Sequence, residues 1–242
     1  MRTCRVLGVD AFTGDLEEAA ALVLERVRSR EGGFASLMNV HVAMTARRDR
    51  ALRGAVGEAW AVFPDGEPIA WLQRRRGATA AARVAGPDLM LAVLREGRHL
   101  RHFLFGSTPE VVGRLERRVT AAIRGLEIVG ALAPPRGRED DPDVLAEVAS
   151  AGADVVWVAL GAPKQELWAR RHAAELAPAL VVGVGAAFEF HAGTKRRAPR
   201  WMQQSGLEWL HRLASEPRRL GWRYVSTNLR FTLAALRELA EH

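Results

Sequence analysis

Asp65 stands between Pro64 and Gly66, at the end of an apolar stretch that reads as a strand over Ala59–Phe63. A carboxylate at a strand end can take the proton from a hydroxyl nucleophile. The plainer reading is a turn aspartate, because Pro-Asp-Gly is ordinary turn chemistry. Three other strand ends carry glycine. Phe105-Gly106-Ser107-Thr108-Pro109-Glu110 closes one strand and opens a helix, with Ser107 and Glu110 spaced as a capping box. Leu160-Gly161-Ala162-Pro163-Lys164-Gln165 has the same build one βαβ unit later, and Gly183-Val184-Gly185 ends the last strand. Backbone N–H groups at such helix starts favour anions, a diphosphate among them. In open α/β sheets ligands lie at the carboxyl ends of strands, so one anionic ligand could meet all four ends. Taken singly, each is equally a well-capped helix.

Other candidates carry less. Asp88 and Glu166 fall in helical first turns, where acids stabilise the dipole, and the role of Glu189 stays open. Asp141-Pro142-Asp143 has the form of a D-x-D metal signature but opens a helix, where N-capping explains it. The seven histidines show no metal-ligand spacing, so no metal site is expected. Gly183 to Phe188 resembles a dinucleotide fingerprint without its third glycine, and no ribose-binding acid follows. A G-x-S-x-G elbow is absent, which leaves a serine hydrolase unsupported.

The charge is local. Between Lys195 and Arg230 nine cations face two anions, a balance of +7, which is the net charge of the whole chain. A cationic patch implies an anionic partner. Trp201, Trp209, Trp222, Leu207, Leu210 and Leu213 add apolar anchors, a combination suited to a membrane interface with anionic headgroups. The bland alternative is a tail packed on the core with a solvated basic side. Nucleic acid is not expected, since no binding motif accompanies the patch.

At 242 residues, with 48% hydrophobic and 26% charged residues, the chain suits a soluble globular protein of one large or two small domains. Cys4 is the single cysteine, so no internal disulfide can form, as in a reducing, intracellular setting. Asp10 and Asp15 interrupt any signal-peptide core. No apolar run reaches the roughly 18 residues that a spanning helix needs.

The elements that position these residues alternate. Strands are predicted at Arg5–Val9, Phe34–Val40, Ala59–Phe63, His102–Phe105, Leu126–Gly130, Val155–Leu160 and Leu180–Val184. Helices lie between them, including one continuous helix after Val40 to about Val56. This spacing predicts a Rossmann-like α/β/α fold with a mainly parallel sheet. Beyond it only helices are read, at about Ala198–Gln204, Leu207–Ala214 and Pro217–Leu239. The expected division is an α/β catalytic domain over 1–195 and a basic helical appendage over 196–242.

In this order the motifs resemble the WecG/TagA/CpsF glycosyltransferases. The likeness rests on Asn39, Phe63-Pro-Asp65-Gly66, Arg83-Val-Ala-Gly86-Pro-Asp88, Gly161-Ala-Pro163-Lys-Gln165-Glu166 and Val184-Gly185-Ala-Ala-Phe188-Glu189. Arg197-Ala-Pro199 and Glu208-Trp209-x-x-Arg212 extend it into the tail. The resemblance implies transfer of a sugar, N-acetylmannosamine or a related hexose, from a UDP-sugar to a glycan on undecaprenyl diphosphate. It further implies inversion, no essential metal, and no cofactor beyond the donor. Asp65 would be the general base and Gln165 would lie near the sugar, the two making the catalytic set. Substrate contacts would come from Asn39, Gly66, Arg83, Gly86 and Asp88, from Gly106 and Ser107, from Gly161 and Pro163, and from Gly185, Phe188 and Glu189. Arg212, Arg219 and Arg223 would hold the acceptor's diphosphate, in a tail completing the site on the anionic inner face of the cell membrane. Homo-oligomerisation stays open. Two positions depart from the family pattern: Leu37 stands where Thr is usual, and Glu189 where Asp is commoner. The first keeps alive a second class, a UDP-sugar-binding protein of this fold with weak turnover. A third class is a membrane-interaction module without catalysis.

Overall fold

The computed structural model describes residues 1–199, 201–202, 208–215 and 217–240, without the side chains of 209, 212, 214, 215 and 217–226. Six parallel strands form the central sheet: β3 (Gly33–Met38), β4 (Ala61–Pro64), β5 (Arg101–Gly106), β6 (Glu127–Leu132), β7 (Val155–Ala159) and β8 (Leu180–Gly183), in the order β4-β3-β8-β7-β5-β6. The central strands are buried on both faces, which is why Val155–Ala159 and Leu180–Gly183 read as unbroken apolar runs.

Successive side chains point to opposite faces. Leu37, Phe63, Leu104, Trp157 and Val182 pack on one side under α1 (Leu16–Arg28), α5 (Gly86–Glu96), α6 (Pro109–Ala122) and α9 (Ala187–Ala192). Phe34, Phe105, Val158 and Val181 face the other side, against α7 (Pro142–Ser150) and α8 (Lys164–His172). A third core joins α2 (Val40–Ala46), α3 (Arg50–Glu58) and α4 (Glu67–Arg75) to the N-terminal residues Val6 and Ala11. The α/β architecture with a parallel sheet and C-terminal helices is as the pattern predicts.

Three local expectations are corrected. The strand expected at Arg5–Val9 is instead an antiparallel hairpin outside the main sheet, β1 (Thr3–Val6) and β2 (Val9–Phe12). Its turn residues Leu7 and Gly8 both have positive φ, +52° and +83°, as a tight two-residue hairpin turn requires. The second strand stops at Met38, because Asn39 turns into an N-cap whose side chain accepts from the Val42 N–H at 3.1 Å. The single helix expected up to Val56 breaks in two, with Asp49 capping α3 by accepting from Ala51 and Leu52.

Two helices complete the chain, α10 (Glu208–Ser215) and α11 (Pro217–Ala240). Phe231 and Ala235 of α11 are buried in the third core. Glu238 ties the same helix down, pairing with Arg76 and accepting from the Leu7 N–H at 2.8 Å. The helix expected at Ala198–Gln204 lies largely outside the described residues, which record helix at Trp201 and Met202. Among the described residues no helix is long and apolar enough to cross a membrane.

Candidate active site

A cavity of about 980 Å³ opens at the carboxyl ends of the strands and takes walls from both halves of the sheet. That is the place where open α/β sheets bind ligands, and the size suits a substrate larger than a simple metabolite. Asp65 lines it, directly after β4. Its backbone N–H donates to Met38 O at 3.0 Å, so the strand pairing carries the carboxylate to the rim before Gly66 turns the chain into α4. Gly66 has φ +142°, and it lines the cavity together with Asn39. Because Asn39 Oδ1 is committed to capping α2, its amide nitrogen is the end left to offer a hydrogen bond.

Ser107, Gly161 and Gly185, from the ends of β5, β7 and β8, line the same cavity. The starts of α2, α4, α6 and α8 therefore all meet one space, each presenting backbone N–H groups. The capping expectation at Ser107 is corrected: Thr108 caps α6, accepting from the Val111 N–H at 3.3 Å. Gly106 and Ser107 both take positive φ, +107° and +65°, which bends the chain before the helix and moves Ser107 out of the cap. Ser107 then donates its N–H to Ala159 O at 2.9 Å and faces the cavity.

Gln165 is 4% exposed and rests on two glycines. A Cβ on Gly183 would stand 3.2 Å from Gln165 Nε2, and one on Gly185 would stand 3.4 Å from Oε1. Nε2 donates to Glu166 Oε1 at 3.0 Å, and Oε1 is a buried acceptor without a partner. Glu166 lies in the first turn of α8, as expected, and is itself only 2% exposed. Burial pushes its pKa up to about 7, against the opposing pull of its own backbone N–H and of Gln165. A signal for this was present: Glu166, Ala169 and Ala173 form one helical stripe, and the two alanines are core.

Four of the cations at or beside the site have carboxylate partners. Arg83, which lines the cavity, pairs with Glu208 at the start of α10. Glu208 also meets Arg197, at 3.4 Å, and Arg197 grips Asp88 through two bonds of 2.5 and 2.7 Å. Asp88 thus ends a chain of alternating charge. Burial alone would raise its pKa, but the Arg197 fork more than offsets this and holds it below the usual range. On the far wall Lys164 pairs with the buried Glu139 at 2.5 Å, and Lys195 lies 3.7 Å from Glu189.

Five positions expected to touch substrate do not line the cavity: Gly86, Asp88, Gly106, Pro163 and Phe188. Phe188 is fully buried core, and a Cβ on Gly86 would come within 2.9 Å of Leu37 Cδ1 and 3.2 Å of Val184 O. Asn39, Asp65, Gly66, Arg83, Ser107, Gly161, Gln165, Gly185 and Glu189 are brought together as lining residues. The side chains of Arg212, Arg219 and Arg223 lie outside the described residues. Sequence reasoning missed Lys164, Glu139 and the wall supplied by Thr227, Asn228 and Phe231 of α11. Lys164 carried a signal, being one of only two lysines among 35 basic residues. The capping expected of the D-x-D stretch is corrected: Asp141 stands at the N-cap of α7 but makes no capping bond, accepting from Arg138 at 2.5 Å. Among the described residues no group of three His, Cys, Asp or Glu side chains is placed to hold a metal ion.

A carboxylate residue, several helix starts and paired cations lining one cleft at the strand ends define an α/β protein with a polar ligand site. Residues 4–242 match the family described as "Glycosyl transferase WecG/TagA/CpsF family", and the chain belongs to it. It is similar to the N-acetylglucosaminyldiphosphoundecaprenol N-acetyl-beta-D-mannosaminyltransferase of Bacillus spizizenii, 27% identical over 86% of this chain and 80% of the relative. The enzyme of the same name from Bacillus subtilis is 28% identical over the same shares of the two chains.

Proposed function

We propose that the chain moves an N-acetylmannosamine-type hexose from a UDP-sugar to N-acetylglucosamine carried on undecaprenyl diphosphate. The acceptor is the one that the Bacillus relatives' names specify. The observation that carries the reading is the shared cavity of Asp65, the helix starts at Ser107 and Gly161, and Gln165. In a single displacement the acceptor hydroxyl oxygen bonds to the sugar's anomeric carbon as the carbon–oxygen bond to UDP breaks. Asp65 takes the hydroxyl proton, UDP departs with the bonding electron pair, and the anomeric configuration inverts. Backbone N–H groups at the α6 and α8 starts, with Lys164 nearby, offset the charge that develops on the diphosphate. In this reading the donor is the only small molecule required, and neither a metal ion nor a cofactor takes part.

The division into a catalytic domain over 1–195 and a helical appendage beyond it belongs to the same proposal. Leu229, Leu233 and Leu236 of α11 are each more than half exposed and recur at helical spacing, and Trp201 and Leu210 are exposed nearby. With the tail's excess of cations, they support seating of the appendage on the anionic inner face of the membrane. Its arginines 212, 219 and 223 would then meet the acceptor's diphosphate.

The test is UDP release over a panel of UDP-sugars, with a short-chain polyprenyl-diphosphate N-acetylglucosamine as acceptor. Acceptor-dependent release from one hexosamine donor is expected. Tight UDP-sugar binding without release from any donor would favour the second reading, a binding protein without turnover. One observation favours that second reading: Leu37, apolar, lines the cavity where the family usually has a hydroxyl.

A further inference from the structure

Gln165 and Gly185 both line the cavity, and beside Gly185 the Gln165 Oε1 is a buried hydrogen-bond acceptor without a partner. What fixes it there is the next residue. An ionised carboxylate only accepts, so the end of the Gln165 amide that meets Glu166 must be the nitrogen. The carbonyl is thereby the end left beside Gly185. We infer that Glu166 is a positioning residue, holding the Gln165 amide so that the wall offers a carbonyl to a hydroxyl or acetamido N–H of the transferred sugar. This rests on the nucleotide-sugar reading above and adds to it the polarity of one sugar contact.

The arrangement is conditional on the charge of Glu166. Once protonated, the acid can donate as well as accept, so the amide is free to turn its nitrogen toward the cavity instead. The elements packed most closely on α8 are α3, β3, β7 and β8. The three strands carry no titratable side chain, and Arg50, Arg53 and Glu58 of α3 are exposed. On α8 itself Lys164 is engaged by Glu139. Burial therefore governs this proton, which places the exchange at about pH 7.

Glu166→Gln copies the shape of the protonated acid at every pH. The experiment compares it with the wild type by calorimetric titration of UDP and of UDP-N-acetylmannosamine between pH 5.5 and 8.5. Comparing the two proteins at each pH cancels the titration of UDP's own terminal phosphate. At pH 8.5 the variant should bind UDP-N-acetylmannosamine about tenfold more weakly, the worth of one neutral hydrogen bond. The two proteins should converge by pH 5.5 and bind UDP equally throughout. Equal affinity for the UDP-sugar at pH 8.5 overturns the inference, as does equal weakening for both ligands, which would make Glu166 a wall residue only. Failure of the wild type to bind UDP at all overturns the nucleotide-sugar reading. The positioning itself is then judged without ligand, by NMR of glutamine-labelled protein with Gln165→Met for assignment. The Gln165 side-chain amide signals should titrate near pH 7 in the wild type and stay fixed in Glu166→Gln. Signals that do not titrate in the wild type overturn it.

Discussion

The backbone N–H of Leu7 donates to Glu238 Oε2 at 2.8 Å, joining the first hairpin to the last helix of the chain. Arg76 holds the other oxygen, and the side chains of that ion pair are only 16% and 15% exposed. Glu238→Ala would take one carboxylate away from the Arg76 guanidinium and the acceptor away from the Leu7 N–H, in a largely dry place. A loss of about 2–4 kcal/mol is expected, with Glu238→Gln costing less. Urea denaturation measures it, and a change below about 0.5 kcal/mol would mean that α11 is held by its apolar contacts alone.

Asp65→Asn keeps the shape of the rim and removes the proton acceptor. Turnover should fall by about a hundredfold or more while UDP affinity holds. Activity within a few-fold of the wild type would remove Asp65 from the role of base.

Gly106→Ala meets two independent penalties. Its φ of +107° is one that only glycine adopts easily, and a Cβ would stand 2.9 Å from both Ala159 C and Ala159 O. Backbone cannot yield as a side chain does, so a cost of about 2–4 kcal/mol is expected. Because Ser107 is displaced with it, weaker UDP binding should accompany the lower midpoint. A variant as stable as the wild type would show that this corner of the rim has slack.

Glu166 also gives stability a pH signature. Its pKa is raised in the fold, to about 7, so between the unfolded value near 4.5 and about 7 the folded protein keeps a proton that the unfolded chain has lost. The unfolded state then binds fewer protons, and this group's contribution to stability falls as pH rises through that window. Glu166→Gln abolishes the effect. The variant's melting temperature should therefore gain on the wild type from pH 5 to pH 7.5, and a constant difference across the series contradicts a buried, titrating Glu166.

The sheet and its helices were legible because buried parallel strands are apolar runs and the intervening helices carry caps. The hairpin was not, since its turn is Leu7-Gly8 and leucine is a poor advertisement for a positive-φ position. The α2–α3 break was signalled by Asp49 as a cap, but the flanking apolar periodicity runs through it. At the site, the strand-end glycines and Asp65 announced themselves by local chemistry. The partners Arg83–Glu208 and Arg197–Asp88 lie more than a hundred residues apart in the chain, and no local pattern encodes such a pairing. Motif position singles out Asp88 and Gly86 but does not encode their neighbours, Arg197 for the one and Leu37 with Val184 for the other.

The strand order carries one more consequence. β8, the last strand to be synthesised, inserts between β3 and β7 and is the only connection between the β4-β3 pair and the β7-β5-β6 trio. Asp65 and Asn39 ride on the pair, Ser107 and Gly161 on the trio. A nascent chain shorter than Leu180–Gly183 therefore holds two sheet fragments with raw facing edges and no cleft between them. Such edges invite pairing with other chains until the missing keystone arrives. The cleft therefore needs that strand in place to join its two sides, and the wall from α11, later still in the chain, to close it.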